Sequence, residues 1–126
     1  MTKSRTSAGR ILLGILGKSS MSSAILRKWN GFLRESDIDG SMDRYPCTEA
    51  MIPERLSEML HFDRRGYIVS ASLQIPVAAF MDRLDASAQK CNAVDTVVND
   101  GGVLIGYWTD GDDALRQEFL LHSSHG

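Results

Sequence analysis

Two short stretches place polar side chains just before a predicted helix, the first suited to a carboxylate. The first is Ser19-Ser20-Met21-Ser22-Ser23, placed just before a segment of apolar periodicity. Hydroxyls and free amides at a helix start suit a carboxylate. They equally suit an ordinary Ser-rich helix cap. The second is Thr109-Asp110-Gly111-Asp112-Asp113, also just before an apolar-periodic segment, a common N-cap arrangement. Other constellations lead nowhere. His122 and His125 have a helix-like spacing but stand in a polar tail, without the three or four ligands zinc needs. Cys47 and Cys91 are far apart, form no CxxC and read as reduced thiols in the cytoplasm. No GxGxxG is present, and Gly106 to Gly111 fails as a phosphate loop because Asp112 and Asp113 stand where Lys and Ser or Thr are required.

Elements to position these groups follow from the pattern. Ile11 to Gly17 is a continuous apolar run ending in Gly, as in a strand buried on both faces. A helix is predicted from about Ser23 to Arg34, because Ile25, Leu26, Trp29, Phe32 and Leu33 recur at three- and four-residue steps. A strand is expected near Met42 to Cys47, then a helix with Pro53 in its first turn through Leu56, Met59 and Leu60. Tyr67 to Ala71 reads as a third strand. Two helical pieces follow, one through Val77, Phe80 and Leu84 and one from Ala86 to Cys91. Val94–Val98 and Val103–Trp108 form a hairpin about Asn99-Asp100-Gly101-Gly102, and Asp112 or Asp113 caps a last helix. The alternation predicts a three-layer α/β domain with a mostly parallel sheet and a C-terminal hairpin. Ligands of such sheets sit beyond the carboxyl ends of the strands.

With 126 residues the chain is expected to hold one domain at residues 11–121, a flexible start at 1–10 and a tail at 122–126. The net charge of −2 gives no broad reason to bind nucleic acid or an anionic membrane, and no segment is long enough to span a bilayer. Basic residues before Ile11–Leu16 faintly outline a signal peptide, but Gly14 and Lys18 interrupt it and a buried strand accounts for it better.

Several blocks in order resemble the substrate-binding half of shikimate dehydrogenases. Ser20-Met21-Ser22-Ser23 is similar to the family's Ser-x-Ser-Pro, whose two hydroxyls bind the substrate carboxylate; Ser23 replaces the proline. Ile68 to Gln74 falls on Asn-Val-Thr-x-Pro-x-Lys: Val69 is identical, Ser70 keeps a hydroxyl, and Gln74 stands in for the acid–base lysine. Ala93-Val94-Asp95-Thr96 matches Ala-Val-Asn-Thr, with Asp95 for the asparagine that binds substrate hydroxyls. Gly106-Tyr107-Trp108-Thr109-Asp110-Gly111 matches Gly-Tyr-Asn-Thr-Asp-Gly, and Asp110 corresponds to the aspartate that pairs with the lysine. The resemblance spans about Ile11 to Leu115 and is firmest from Asp82 to Gly111.

The resemblance implies an oxidoreductase family of aromatic amino acid biosynthesis using NADP, held on a Rossmann domain that this sequence lacks. Gln can hydrogen-bond but cannot exchange a proton near neutral pH. The expectation is therefore a binding domain for shikimate or a related polyhydroxylated acid without redox activity of its own. One alternative is a subunit completed by a nucleotide-binding partner chain. Another is an interaction-only relic. The family's last helix packs back on this domain, so its absence predicts exposed apolar surface and a homo-oligomer.

Overall fold

A computed structural model of the chain describes residues 9–121. The expected polar start up to Ala8 and the tail with His122 and His125 lie outside the described residues. The strands are β1 (Ile11–Leu16), β2 (Gly40–Tyr45), β3 (Gly66–Val69), β4 (Arg83–Leu84), β5 (Thr96–Asp100) and β6 (Val103–Tyr107). The α-helices are α1 (Ser22–Glu35), α2 (Ile52–His61), α3 (Ala86–Cys91) and α4 (Asp113–Leu121), with short 3-10 segments at Glu49–Met51, Ala71–Leu73 and Pro76–Phe80.

The sheet has six strands in the order β2-β1-β3-β5-β6-β4. β1 is parallel to β2 and β3, and β4 is parallel to β6. β5 runs antiparallel to both its neighbours. The sheet is thus mixed, with β5 alone reversed. The carboxyl ends of the other strands and the start of β5 share one edge.

Both sheet faces are covered, which makes the three layers. On one face α1 and α4 pack Trp29, Leu33 and Leu120 against Leu13, Ile15, Ile68 and Val98. On the other, Ile52, Leu56 and Met59 of α2, Ala88 of α3, and Leu73 and Val77 meet Leu16, Tyr67, Val69 and Val97. Each such fully buried large side chain contributes about 1.5–3 kcal/mol from removal of apolar area. Gly14 makes room for this second face: a Cβ there would lie 2.4 Å from the Tyr45 ring, which packs on Tyr67 at 5.5 Å between centroids.

One element differs from expectation. The segment through Val77, Phe80 and Leu84 does not continue as a helix: it is a 3-10 turn at Pro76–Phe80, then strand β4 carrying Leu84. Asp82 causes the change. Its backbone N–H donates to Leu104 O, and its carboxylate accepts from Leu104 N, both at 2.8 Å, which lays the chain along β6. The hairpin forms as expected, with Gly101 and Gly102 both at positive φ in a two-residue loop that suits strand twist. Asp112 is the residue that caps α4, accepting from Ala114 N and Leu115 N. No helix among the described residues is long and apolar enough to cross a membrane.

Candidate functional site

The Ser-rich turn leaves the carboxyl end of β1 through Gly17 (φ 96°). A Cβ at Gly17 would stand 2.0 Å from Ser70 Oγ, so the glycine lets the end of β1 lie on the end of β3. Ser19 organises the turn: its Oγ accepts from Met21 N at 3.1 Å and its carbonyl from Ser22 N at 3.1 Å. Ser20 is exposed, while Ser22 is buried at 7% exposure. The two candidate carboxylate ligands therefore stand at different depths.

At the end of β3, Ser70 N donates to Leu16 O at 2.9 Å. Its Oγ is buried without a hydrogen-bond partner among the described residues. Burying a hydroxyl unsatisfied costs about 1–3 kcal/mol. Gln74 follows at the end of the 3-10 turn. Its Nε2 donates to Val69 O at 3.1 Å, and its carbonyl accepts from Val94 N at 2.8 Å. Gln74 thus ties the end of β3 to the approach to β5.

Asp95 lies just before β5 at 1% exposure. The expectation was a hydroxyl acceptor facing a ligand. Its carboxylate is instead committed within the chain. Oδ1 accepts from Thr109 N at 2.9 Å and Thr96 Oγ1 at 3.0 Å; Oδ2 accepts from Thr109 Oγ1 at 3.0 Å and Gly111 N at 3.3 Å. Arg116 Nη2 lies 3.7 Å from Oδ2 with only 11% of its side chain exposed. Asp95 therefore grips both neighbours of Asp110, which stands exposed at the tip of the turn with φ 55°. Aspartate tolerates this left-handed conformation better than most residues.

Sequence reasoning missed Arg116, a lone arginine on an amphipathic helix. The signal was Asp95 itself: a charge between Ala93-Val94 and Val97-Val98 requires a buried partner. Arg116 also lies 3.5 Å from Asp113, which is paired with Lys28 at 2.5 Å. Burial raises the Asp113 carboxyl, but the Lys28 hydrogen bond and the Lys28 and Arg116 charges outweigh it and hold it below its ordinary value.

Topology brings Ser20, Ser22, Ser70, Gln74, Asp95 and Asp110 to one edge of the sheet. Trp108 packs with Leu84 and Met81 against the core on the α2 face. No cluster of three metal-ligating side chains occurs among the described residues. Neither the Gly101-Gly102 turn nor the start of α4 fits a dinucleotide pyrophosphate. Gly101-Gly102 joins two antiparallel strands, and the start of α4 is filled by the Asp112 carboxylate with Asp113 beside it.

No family model matches the chain. A shikimate dehydrogenase (NADP(+)) of Bacillus cereus is 27% identical over 105 residues, 83% of this chain and 38% of that enzyme. One from Streptococcus sanguinis is 39% identical over 56 residues, 44% of this chain and 20% of the enzyme. The crystal structure of shikimate 5-dehydrogenase from Listeria monocytogenes in complex with shikimate and NAD superposes with a TM-score of 0.76 at 25% identity, covering 86% of this chain and 38% of that one. The Thermus thermophilus enzyme in complex with NADP(H) and shikimate gives 0.72 at 25% identity, covering 86% and 41%.

Proposed function

Because the chain is a divergent shikimate dehydrogenase-family domain with the fold of the family's substrate-binding half, we propose that it binds a small polyhydroxylated carboxylic acid and performs no redox step unaided. The observation that carries this reading is the gathering of Ser20, Ser22, Ser70, Gln74 and Asp110 on the carboxyl edge of the sheet. Ser20 and Ser22 act on the ligand carboxylate. Ser70 Oγ, buried and unpartnered, supplies a hydroxyl that a ligand oxygen satisfies. Asp110 accepts from a ligand hydroxyl, and Asp95 positions it. Gln74 supports binding without chemistry, since an amide does not exchange protons near neutral pH. The domain is residues 11–121, and the free Cys47 and Cys91 favour the cytoplasm.

Calorimetry with shikimate and quinate tests binding. Saturable binding is expected, weakened about tenfold or more in Asp110→Asn by loss of a charged acceptor. Silence at millimolar ligand overturns the binding role and leaves an interaction-only domain. A second reading, a subunit of an NADP-dependent shikimate or quinate dehydrogenase completed by another chain, is favoured by Asp110. NADP-dependent turnover by the purified chain would refute the non-catalytic reading, and turnover only with an added nucleotide-binding chain would establish the second.

A further inference from the structure

A cleft of about 310 Å³ opens between the ends of β1 and β2, lined among others by Lys18, Ser19, Ser22, Ser23 and Arg44. Two cations face it. Neither Lys18 nor Arg44 has an ion-pair partner among the described residues. Arg44 is not idle: its Nη2 donates to Ser23 Oγ at 2.5 Å, which holds the guanidinium over the first turn of α1 with its other donors unassigned. Ser23 Oγ and Ser19 Oγ both act as acceptors within the chain, so each hydroxyl proton is left to donate. Helix α1 begins at the same place with no acidic residue in its first turn and no side-chain cap from Met21.

We propose that this cleft is a second ligand site, for a phosphate group carried by a small molecule or free in solution. Two positive charges match a dianion better than a carboxylate. The donors come from three elements, β2, the β1 turn and the start of α1, and a phosphate has oxygens enough to accept from all of them. The volume exceeds that of a bare phosphate and falls at the lower end of small-molecule sites, so a small organic group fits beside it. The site shares only Ser22 with the polyhydroxy-acid edge and does not depend on it.

The test titrates the full chain at fixed ionic strength with inorganic phosphate, glycerol 3-phosphate and acetate, followed by amide chemical shifts and calorimetry. Phosphate-bearing probes are expected to saturate, with the first-moving amides in Ser19–Ala24, and acetate to bind far more weakly. Tighter glycerol 3-phosphate assigns an organic phosphate, and tighter inorganic phosphate assigns the free ion. Lys18→Ala and Arg44→Ala should each weaken binding about tenfold. Arg44→Lys should recover part of it, with circular dichroism confirming the fold. Ser20→Ala and Asp110→Asn should leave phosphate binding unchanged, which separates this site from the edge above. No saturable phosphate signal, acetate as tight as phosphate, or undiminished affinity in Arg44→Ala overturns the proposal.

Discussion

Replacing Asp95 by asparagine, the residue found in the resembled family, should weaken this fold. Asp95 is 1% exposed, and Oδ2 faces Gly111 N, Thr109 Oγ1 and Arg116. An amide nitrogen in place of Oδ2 sets donor against donor at Gly111. Losing a charge-assisted acceptor costs about 1.5–3 kcal/mol. Arg116 keeps Asp113 and Thr96 as partners, so the loss stays below the roughly 3–5 kcal/mol of an orphaned buried charge. The expected loss is therefore about 1.5–3 kcal/mol, or a fall in Tm of about 6–12 °C for a domain of this size. Thermal and urea melts followed by circular dichroism read it. A cycle with Arg116→Gln should return a coupling of about 1 kcal/mol. Ligand affinity should drop as well, because the Thr109–Gly111 turn loses its grip. An Asp95→Asn protein within about 0.5 kcal/mol of the parent would refute the clamp.

Two other perturbations follow. Gly17→Ala meets both a left-handed φ of 96° and a Cβ placed 2.0 Å from Ser70 Oγ; a loss of more than about 2 kcal/mol is expected in urea melts, and parent-like stability would disprove that packing. The Asp113 carboxyl is held below its unfolded value, so its contribution is full above about pH 4 and is lost as pH falls through the lower native value. Asp113→Asn should flatten the acid limb of the stability–pH curve, and a limb parallel to the parent's would count against the Lys28 pairing.

Local pattern carried the sheet and helices where one rule dominated. The apolar run of β1, the three- and four-residue steps of α1 and the paired glycines of the β5–β6 loop each had one structural solution. Val77, Phe80 and Leu84 misled because their helix-like spacing competes with a tertiary pairing: Asp82 draws the chain onto β6, and no local signal encodes that partner. Direction was similarly hidden. Nothing local distinguishes a parallel from an antiparallel β3–β5 pairing. At the candidate edge, residue types were legible but their depth was not. Asp95 turned inward because Arg116, Thr96 and the Thr109 turn surround it. Arg44 went unnoticed because an arginine on an edge strand reads as solvated surface until the cleft beside it is seen.

The double tether made by Gln74, side-chain Nε2 to Val69 O and backbone carbonyl from Val94 N, limits what another side chain there could do. A lysine side chain at position 74 would have two competing uses. An ammonium turned toward Asp110 forfeits the donor that seals the end of β3. One that keeps that bond points its proton at the backbone, away from any reactant. The backbone half of the tether outlasts either choice, so position 74 keeps β3 joined to the approach to β5 whatever side chain it carries.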